Sequence, residues 1–235
     1  LGYRLGICFT LMIWICFDCL WNLFKEGAVT LGGRSAFPVF RACFGLLTWH
    51  WCWGASVYVW RRYRINYIYL FDFNPKIVMV PRAIFDACVD ETIVFLVTLL
   101  LYYKTSTHSM PEWFVPGVYP AFLVLYLVLK FIFPLQQRRP LWTAIIRVWT
   151  SPLSSPTFFH TYVADVFTSM VKVLLDLLWT FCFIFSGDFL IPDTVDADKN
   201  RHGWQHAIWY KQYLVPIICL FPLYIRLMQC LRKFY

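Results

Sequence analysis

Charged residues are scarce in this chain of 235 residues, where Asp, Glu, Lys and Arg together make up only 14%. Ordinary soluble domains keep about a quarter of their residues charged, because charged side chains cover the surface that faces water. Hydrophobic residues account for 60% of the chain and aromatic residues for 21%. This composition excludes an ordinary soluble domain and predicts an integral membrane protein.

Catalytic and metal-binding motifs are also missing. The chain has no Gly-rich phosphate loop, no nucleophile elbow and no HExxH pair, so no catalytic set supports an enzyme. The nine cysteines all fall in or beside apolar stretches, which predicts that they form no disulfide framework. We therefore expect a protein that works without catalytic residues, a cofactor or a bound metal.

The formal net charge of +8 does not form one basic face. The 21 Lys and Arg residues lie mostly in short clusters between apolar runs. Nucleic-acid-binding proteins concentrate such residues on one face or along one helix. The observed distribution is typical of membrane topology instead, so we expect no nucleic-acid partner.

Six apolar runs are long enough to cross the hydrocarbon core of a membrane, which takes about 20 residues of α-helix. Backbone groups in lipid must be hydrogen-bonded within the protein, and runs of this length without alternation favour helices over barrel strands. The predicted fold is therefore all-α, a polytopic transmembrane helical bundle that forms one membrane unit over 1–235. Its six helices are predicted at 5–24, 40–60, 84–103, 115–133, 159–185 and 213–230.

Basic clusters orient this bundle, because cytoplasmic loops carry the excess of Lys and Arg. They follow the second, fourth and sixth runs, at Arg61, Arg62, Arg64, Arg138, Arg139, Arg232 and Lys233. The loop between the fifth and sixth runs is acidic, with Asp188, Asp193, Asp196 and Asp198. We therefore predict a cytoplasmic N-terminus.

A short amphipathic helix is predicted between the fourth and fifth runs. Residues 141–149 place apolar side chains at helical spacing around Arg147, between Pro140 and Pro152. This pattern is typical of a helix that lies in the membrane interface, here on the inner side.

Polar residues interrupt the fifth run at Asp165, Thr168, Ser169, Lys172 and Asp176. On a continuous helix these five fall within an arc of roughly 100°, and we call them the polar stripe. A charge near the middle of a membrane costs on the order of 2.5 to 3.5 kcal/mol. The stripe is therefore predicted to face protein or water, as the lining of a pathway or a buried network. The alternative for Lys172 and Asp176 is that they only neutralise each other within the helix.

Arg226 in the sixth run is the candidate partner of Asp165, because both residues are expected in the inner leaflet. The alternative is that Arg226 extends to the inner head groups. Asp90 and Glu91 are interpreted as charges that favour the start of the third helix.

Four segments resemble the EXS domain of phosphate exporters, the family of the xenotropic and polytropic retrovirus receptor type with its plant and fungal relatives. Trp60-Arg-Arg-Tyr-Arg-Ile-Asn66 through Phe71-Asp72-Phe-Asn74-Pro75 is similar to the family's W-R-x3-V-N-H-x-x-I-F-E-L-N-P, and Arg147-Val-Trp-Thr-Ser-Pro152 to its R-V-F-x-A-P. Val163-Ala-Asp165-Val-Phe-Thr168-Ser169 resembles L-A-D-Q-L-T/N-S. Pro222-Leu-Tyr-Ile-Arg226 through Gln229-Cys-Leu-Arg232-Lys-Phe234 resembles P-x-W-x-R-x-x-Q-C-x-R-R-Y. The four segments follow in the family's order.

The resemblance implies export of inorganic phosphate from the cytosol without a cofactor. It places Asp165 and Thr168 at the substrate site and Arg226 on or near the conduction path, and Val166 departs from the family's Gln. Family members continue with further helices that carry cationic residues, and many have a cytosolic SPX domain. We therefore expect this chain to be the first six helices of a longer protein, with no SPX domain in 1–235.

The sequence thus supports an exporter whose substrate site is Asp165, Thr168 and Arg226 and whose pathway is lined by Ser169, Lys172 and Asp176. Its expected partners are inorganic phosphate and membrane lipid, with a homodimer or a larger membrane complex as its assembly. The expected location is the plasma membrane or a Golgi or other endomembrane. The first alternative is a non-transporting structural or assembly subunit with the same fold, and the second is a membrane enzyme acting on a phosphorylated lipid or sugar.

Overall fold

The computed structural model describes residues 2–26, 36–73, 75, 80–106, 111, 114–150, 157–191 and 203–234. All regular structure within these ranges is helical, which confirms the predicted all-α class. The α-helices are α1 (Gly2–Glu26), α2 (Phe37–Arg62), α3 (Tyr67–Leu70), α4 (Pro81–Ser106), α5 (Val118–Ile132), α6 (Leu135–Trp149), α7 (Phe158–Ser169), α8 (Val171–Phe185) and α9 (Val215–Phe234). Short 3-10 turns at Asp188–Leu190 and Gly203–His206 and a π-helix at Trp209–Leu214 lie between α8 and α9.

Two helical segments have both the length and the apolar composition of a membrane span, Gly2–Trp21 and Trp209–Phe234. The pair α7 and α8 counts as a third if it forms one bent span, and α5 is apolar but shorter. Each of the six predicted runs coincides with a described helix or helix pair, with ends that differ by a few residues. The helix predicted at 141–149 begins earlier, at Leu135, and contains Pro140.

The fifth run is not the single helix that the apolar pattern predicts. It divides at Met170 into α7 and α8, whose axes differ by 72°. The hydroxyls of Thr168 and Ser169 both donate to the Asp165 carbonyl oxygen, at 2.7 and 3.1 Å. Side-chain hydroxyls that bond to a carbonyl of the preceding turn compete with the backbone ladder and bend helices. The arc of the polar stripe therefore holds only within each half, with Lys172 and Asp176 on α8.

Two groups of buried side chains form the core. One group joins α1, α2, α4, α5 and α8 and includes Phe40, Tyr102 and Phe183. The other joins α2, α3, α4, α6, α7 and α9 and includes Phe71 and Ile225. Because α2 and α4 contribute to both groups, they form the centre of the bundle, and α7 to α9 pack outside them.

The segment after α2 that resembles the family motif folds locally. The Asn66 side chain accepts a hydrogen bond from the Tyr69 amide at 3.2 Å and caps α3. The Trp60 ring packs edge-on against the Phe71 ring at 5.4 Å between centroids. Other residues of the predictions lie outside the described ranges, namely Asn74, Ser151, Pro152, Asp193, Asp196 and Asp198.

A glycine allows α2 and α8 to approach closely. A Cβ atom at Gly45 would overlap the Val173 side chain of α8, and Val173 is β-branched and has little freedom to move away. We expect Gly45→Ala to lower the free energy of unfolding by about 1 to 3 kcal/mol through overpacking. Thermal unfolding of the full-length protein in detergent measures this loss. Gly6→Ala in α1 is the control, because nothing lies within 4 Å of its Cβ position, and a Gly45→Ala protein as stable as this control would contradict the prediction.

Candidate functional site

An ion pair between α7 and α9 forms the centre of the candidate site. Arg226 Nη2 lies 3.0 Å from Asp165 Oδ1, so the partner predicted for Asp165 is the one that the structure provides. The two side chains are 33% and 54% exposed. In a chain that spans a membrane, such exposed charges require water or additional protein beside them, because lipid solvates neither.

Two hydroxyls lie next to this ion pair. Thr168 and Ser169 donate to the carbonyl oxygen of Asp165, so their protons are engaged within the last turn of α7. Asp165 and Ser169 are exposed and Thr168 is half-buried. The end of α7 therefore presents a carboxylate and two hydroxyl oxygens on one surface, beside the Arg226 guanidinium.

Gln229 holds Arg226 in place, a role that the sequence did not indicate. The Arg226 Nη1 donates to Gln229 Oε1 at 3.3 Å, and Gln229 Nε2 donates to the His160 carbonyl oxygen of α7 at 3.2 Å. Gln229 is only 1% exposed. Because this amide is buried and has a partner on each side, it joins α9 to α7 at His160 and orients the Arg226 guanidinium.

Replacement of Gln229 by leucine removes both hydrogen bonds at nearly constant volume. We expect Gln229→Leu to lower the free energy of unfolding by about 1 to 3 kcal/mol, because a buried polar link is lost. Thermal unfolding of the full-length protein tests this. Gln212→Leu is the matched control, since Gln212 is exposed just before α9, and equal stability of the two variants would contradict the role assigned to Gln229.

Asp176 belongs to a second ion pair, with a partner that the sequence analysis missed. Arg41 of α2 contacts both carboxylate oxygens, through Nε at 2.5 Å and Nη2 at 2.6 Å. Lys172 is only a weaker neighbour, at 3.7 Å from Asp176 Oδ1 and with its side chain 66% exposed. The sequence did contain a signal for this ion pair. Arg41 is a single arginine inside the second apolar run, and an arginine in such a run needs a partner.

Glu91 also differs from its predicted role. It lies well inside α4 rather than at its start, is buried, and contacts His50 of α2, with Glu91 Oε2 at 2.7 Å from His50 Nδ1. Asp90 forms an exposed ion pair with Arg4 of α1 at 2.9 Å.

Within the described residues, no three His, Cys, Asp or Glu side chains lie close enough together to hold a metal ion.

Five of the six predicted site residues are exposed or partly exposed at the surface of α7, α8 and α9, whereas Asp176 is buried against Arg41 of α2. A cavity of about 580 Å³ is lined instead by the apolar side of α7 and α8, including Phe167, Met170, Val173, Leu174 and Leu177. None of the six predicted site residues is on its wall. The exposed ion pair and the cavity are therefore separate features on different sides of the same helices.

Comparison with known proteins gives one family match and several relatives. The sequence profile of the EXS family matches residues 36–235. The chain is 30% identical over 206 residues to SPX and EXS domain-containing protein 1 of Dictyostelium discoideum. This alignment covers 85% of the chain and 21% of that relative. It is 27% identical over 221 residues to phosphate transporter PHO1 homolog 1 of Arabidopsis thaliana, covering 90% of the chain and 26% of the relative.

A third relative is human solute carrier family 53 member 1, with 23% identity over 211 residues, which covers 86% of the chain and 30% of that protein. The chain thus spans about a fifth to a third of the length of these curated relatives.

Proposed function

Because the chain belongs to the EXS family, we propose that it is part of a membrane protein that exports inorganic phosphate from the cytosol. The resemblance to a phosphate transporter of Arabidopsis thaliana supports the substrate. Transport without covalent chemistry agrees with a sequence that has no catalytic motif. The proposal also includes the direction of transport and the residues that line the pathway.

The exposed pair of Asp165 and Arg226 is the observation that carries the proposal. Its two side chains lie at the surface of α7 and α9 although hydrocarbon would make each charge cost on the order of 2.5 to 3.5 kcal/mol. Lys172 adds a third exposed charge on α8. A charged surface of this kind is stable in a membrane where it borders water or an anion. It therefore supports a water-filled pathway along α7, α8 and α9.

Phosphate suits the groups that this surface offers. The Arg226 guanidinium can donate two hydrogen bonds to phosphate oxygens. Phosphate keeps a proton near neutral pH, and the Asp165 carboxylate can accept a hydrogen bond from it, whereas sulfate has no such proton. The nearby carboxylate also keeps binding weak enough for release, which conduction requires. We propose Asp165, Thr168 and Arg226 as the substrate site, with Ser169, Lys172 and Asp176 along the route.

We propose six membrane crossings with the N-terminus in the cytoplasm. At 1.5 Å per residue, α2 and α4, with 26 residues each, are about 39 Å long, which is more than the hydrocarbon core requires. The bent pair of α7 and α8 serves as one crossing, because broken helices occur in transporters where they border a binding site. A plasma-membrane or Golgi location belongs to the same proposal.

The alternative is a non-transporting structural or assembly subunit of a larger membrane complex. The closed pair of Arg41 and Asp176 favours it, because Asp176 is only 5% exposed and both its oxygens contact Arg41. Under this alternative, the ion pairs serve only to join helices.

Reconstitution separates the two functions. Proteoliposomes that contain the full-length protein are loaded with radiolabelled phosphate, and efflux is measured against empty liposomes and against loading with radiolabelled sulfate. We expect phosphate efflux well above the liposome background and above sulfate efflux. Efflux equal to background from a folded protein would favour the structural alternative.

A further inference from the structure

The cavity of about 580 Å³ is separate from the proposed phosphate route and has the size of a ligand site, since such sites typically measure about 300 to 1,000 Å³. It lies between α2, α4, α5, α6, α7 and α8. Most of its wall is apolar, with Leu127 and Phe131 from α5, Trp142 and Ile145 from α6, and Val173 and Leu174 from α8. A ligand with a large apolar part would fit such a wall.

Four side chains of the acidic and basic residue types occur on the wall of this apolar cavity, His50, Glu91, Lys130 and Arg138. His50 and Glu91 contact each other at 2.7 Å and are only 15% and 7% exposed. Glu91 is thus engaged by a neighbour, while Lys130 and Arg138 add two positive charges. The wall carries an excess of positive charge even with His50 neutral, so it complements an anion.

Two buried N–H groups on the wall have no hydrogen-bond acceptor within the part of the chain that the structure describes. They are Arg138 Nε and Trp49 Nε1, and both residues line the cavity. A buried donor without an acceptor costs about 1 to 3 kcal/mol. A ligand in the cavity whose oxygen atoms accept hydrogen bonds from these groups would therefore be stabilised.

The amphipathic pattern of α6 predicts that the part of the cavity lined by Arg138 lies next to the membrane interface. Arg138 lies near the start of α6, and Leu141, Trp142 and Ile145 follow on the cavity wall. On the same helix, Ile146 and Trp149 are 60% and 58% exposed. Amphipathic helices with exposed apolar and aromatic side chains lie where lipid head groups and acyl chains meet. A lipid in the cavity would then have its head group at the height of Arg138.

We propose that this cavity binds a single-chain anionic lipid from the membrane. The acyl chain lies against the apolar wall of α5, α7 and α8, and the anionic head group is held by Arg138 and Lys130. Free inorganic phosphate does not match the cavity, because it would leave the apolar wall without a partner. This site is distinct from the surface of Asp165 and Arg226, which lies on a different side of α7.

Photocrosslinking tests the position of the acyl chain. Full-length protein in nanodiscs is exposed to lysophosphatidic acid that carries a diazirine in its acyl chain, and labelled peptides are identified by mass spectrometry. We expect labelling on α5 and α8 at cavity residues. Leu127→Trp fills the cavity and should reduce this labelling about tenfold, whereas Leu125→Trp, at a position 56% exposed on the same helix, should not.

Head-group recognition is tested by a second set of measurements. Arg138→Gln should reduce labelling about tenfold, the loss expected for one charged hydrogen bond, while Arg139→Gln is the control, because Arg139 is exposed and does not line the cavity. A monoacylglycerol probe with the same chain should label wild-type protein much less. Equal labelling by that neutral probe, labelling unchanged by Leu127→Trp or by Arg138→Gln, or full competition by millimolar inorganic phosphate would overturn the proposal.

Discussion

Phosphate efflux is expected to fall about 10-fold to 100-fold when Asp165 is replaced by asparagine. The substitution keeps the shape of the side chain but removes the charge that pairs with Arg226 at 3.0 Å. An asparagine cannot offer a carboxylate acceptor to the phosphate proton, and loss of a charged hydrogen bond weakens binding by about 1.5 to 3 kcal/mol. Efflux of radiolabelled phosphate from proteoliposomes that contain the full-length protein measures the effect.

Matched variants show whether this loss is specific to the site. Asp90→Asn removes another exposed carboxylate with an arginine partner, Arg4, on α1, and should leave efflux unchanged. Arg226→Gln should reduce efflux as Asp165→Asn does, and the double variant should lose less than the product of the two single losses, because the residues act together. Wild-type efflux from Asp165→Asn protein would remove Asp165 from the proposed substrate site.

The largest expected effect on stability comes from Arg41→Met. This change leaves the Asp176 carboxylate, only 5% exposed, without the guanidinium that contacts both its oxygens. Removal of one partner from a buried ion pair typically lowers the free energy of unfolding by about 3 to 5 kcal/mol. Because Arg41 is 40% exposed and Lys172 remains 3.7 Å away, we expect a loss of about 3 kcal/mol, the lower end of that range. Thermal unfolding in detergent provides the measurement.

Two comparisons separate the ion pair from general damage to the bundle. Lys172→Met should cost only about 0 to 1 kcal/mol, because this lysine is largely exposed. The double variant Arg41→Met with Asp176→Leu should regain much of the lost stability, since apolar side chains can replace both members of a buried pair. A double variant as unstable as Arg41→Met alone would show that the uncompensated charge is not the cause.

The proposed substrate site and the proposed lipid cavity lie on different sides of α7. The helix axis changes direction at Met170, so Asp165 on α7 and Asp176 on α8 lie on opposite sides of the bend. Each half of the bent pair is held by its own arginine, Arg226 from α9 and Arg41 from α2.

The amino-acid sequence by itself determined the membrane class, the helical fold and the approximate position of each helix. These properties depend on the length and polarity of continuous runs, which are local quantities. The ion pair between Asp165 and Arg226 could also be predicted from the sequence. Few charges occur in the fifth and sixth runs, and these two residues were expected at the same depth in the membrane.

Only the tertiary structure decided which other charges meet and which side of a helix borders the cavity. Arg41 is 135 positions from Asp176, and His50 is 41 positions from Glu91, so their contacts depend on the rotation of packed helices about their axes. The bend at Met170 occurs in a run without proline, directly after two hydroxyls that bond to one carbonyl, and hydropathy does not record such a feature. Hydropathy records how much apolar surface a helix has, but the direction in which that surface points is set by packing against the neighbouring helices.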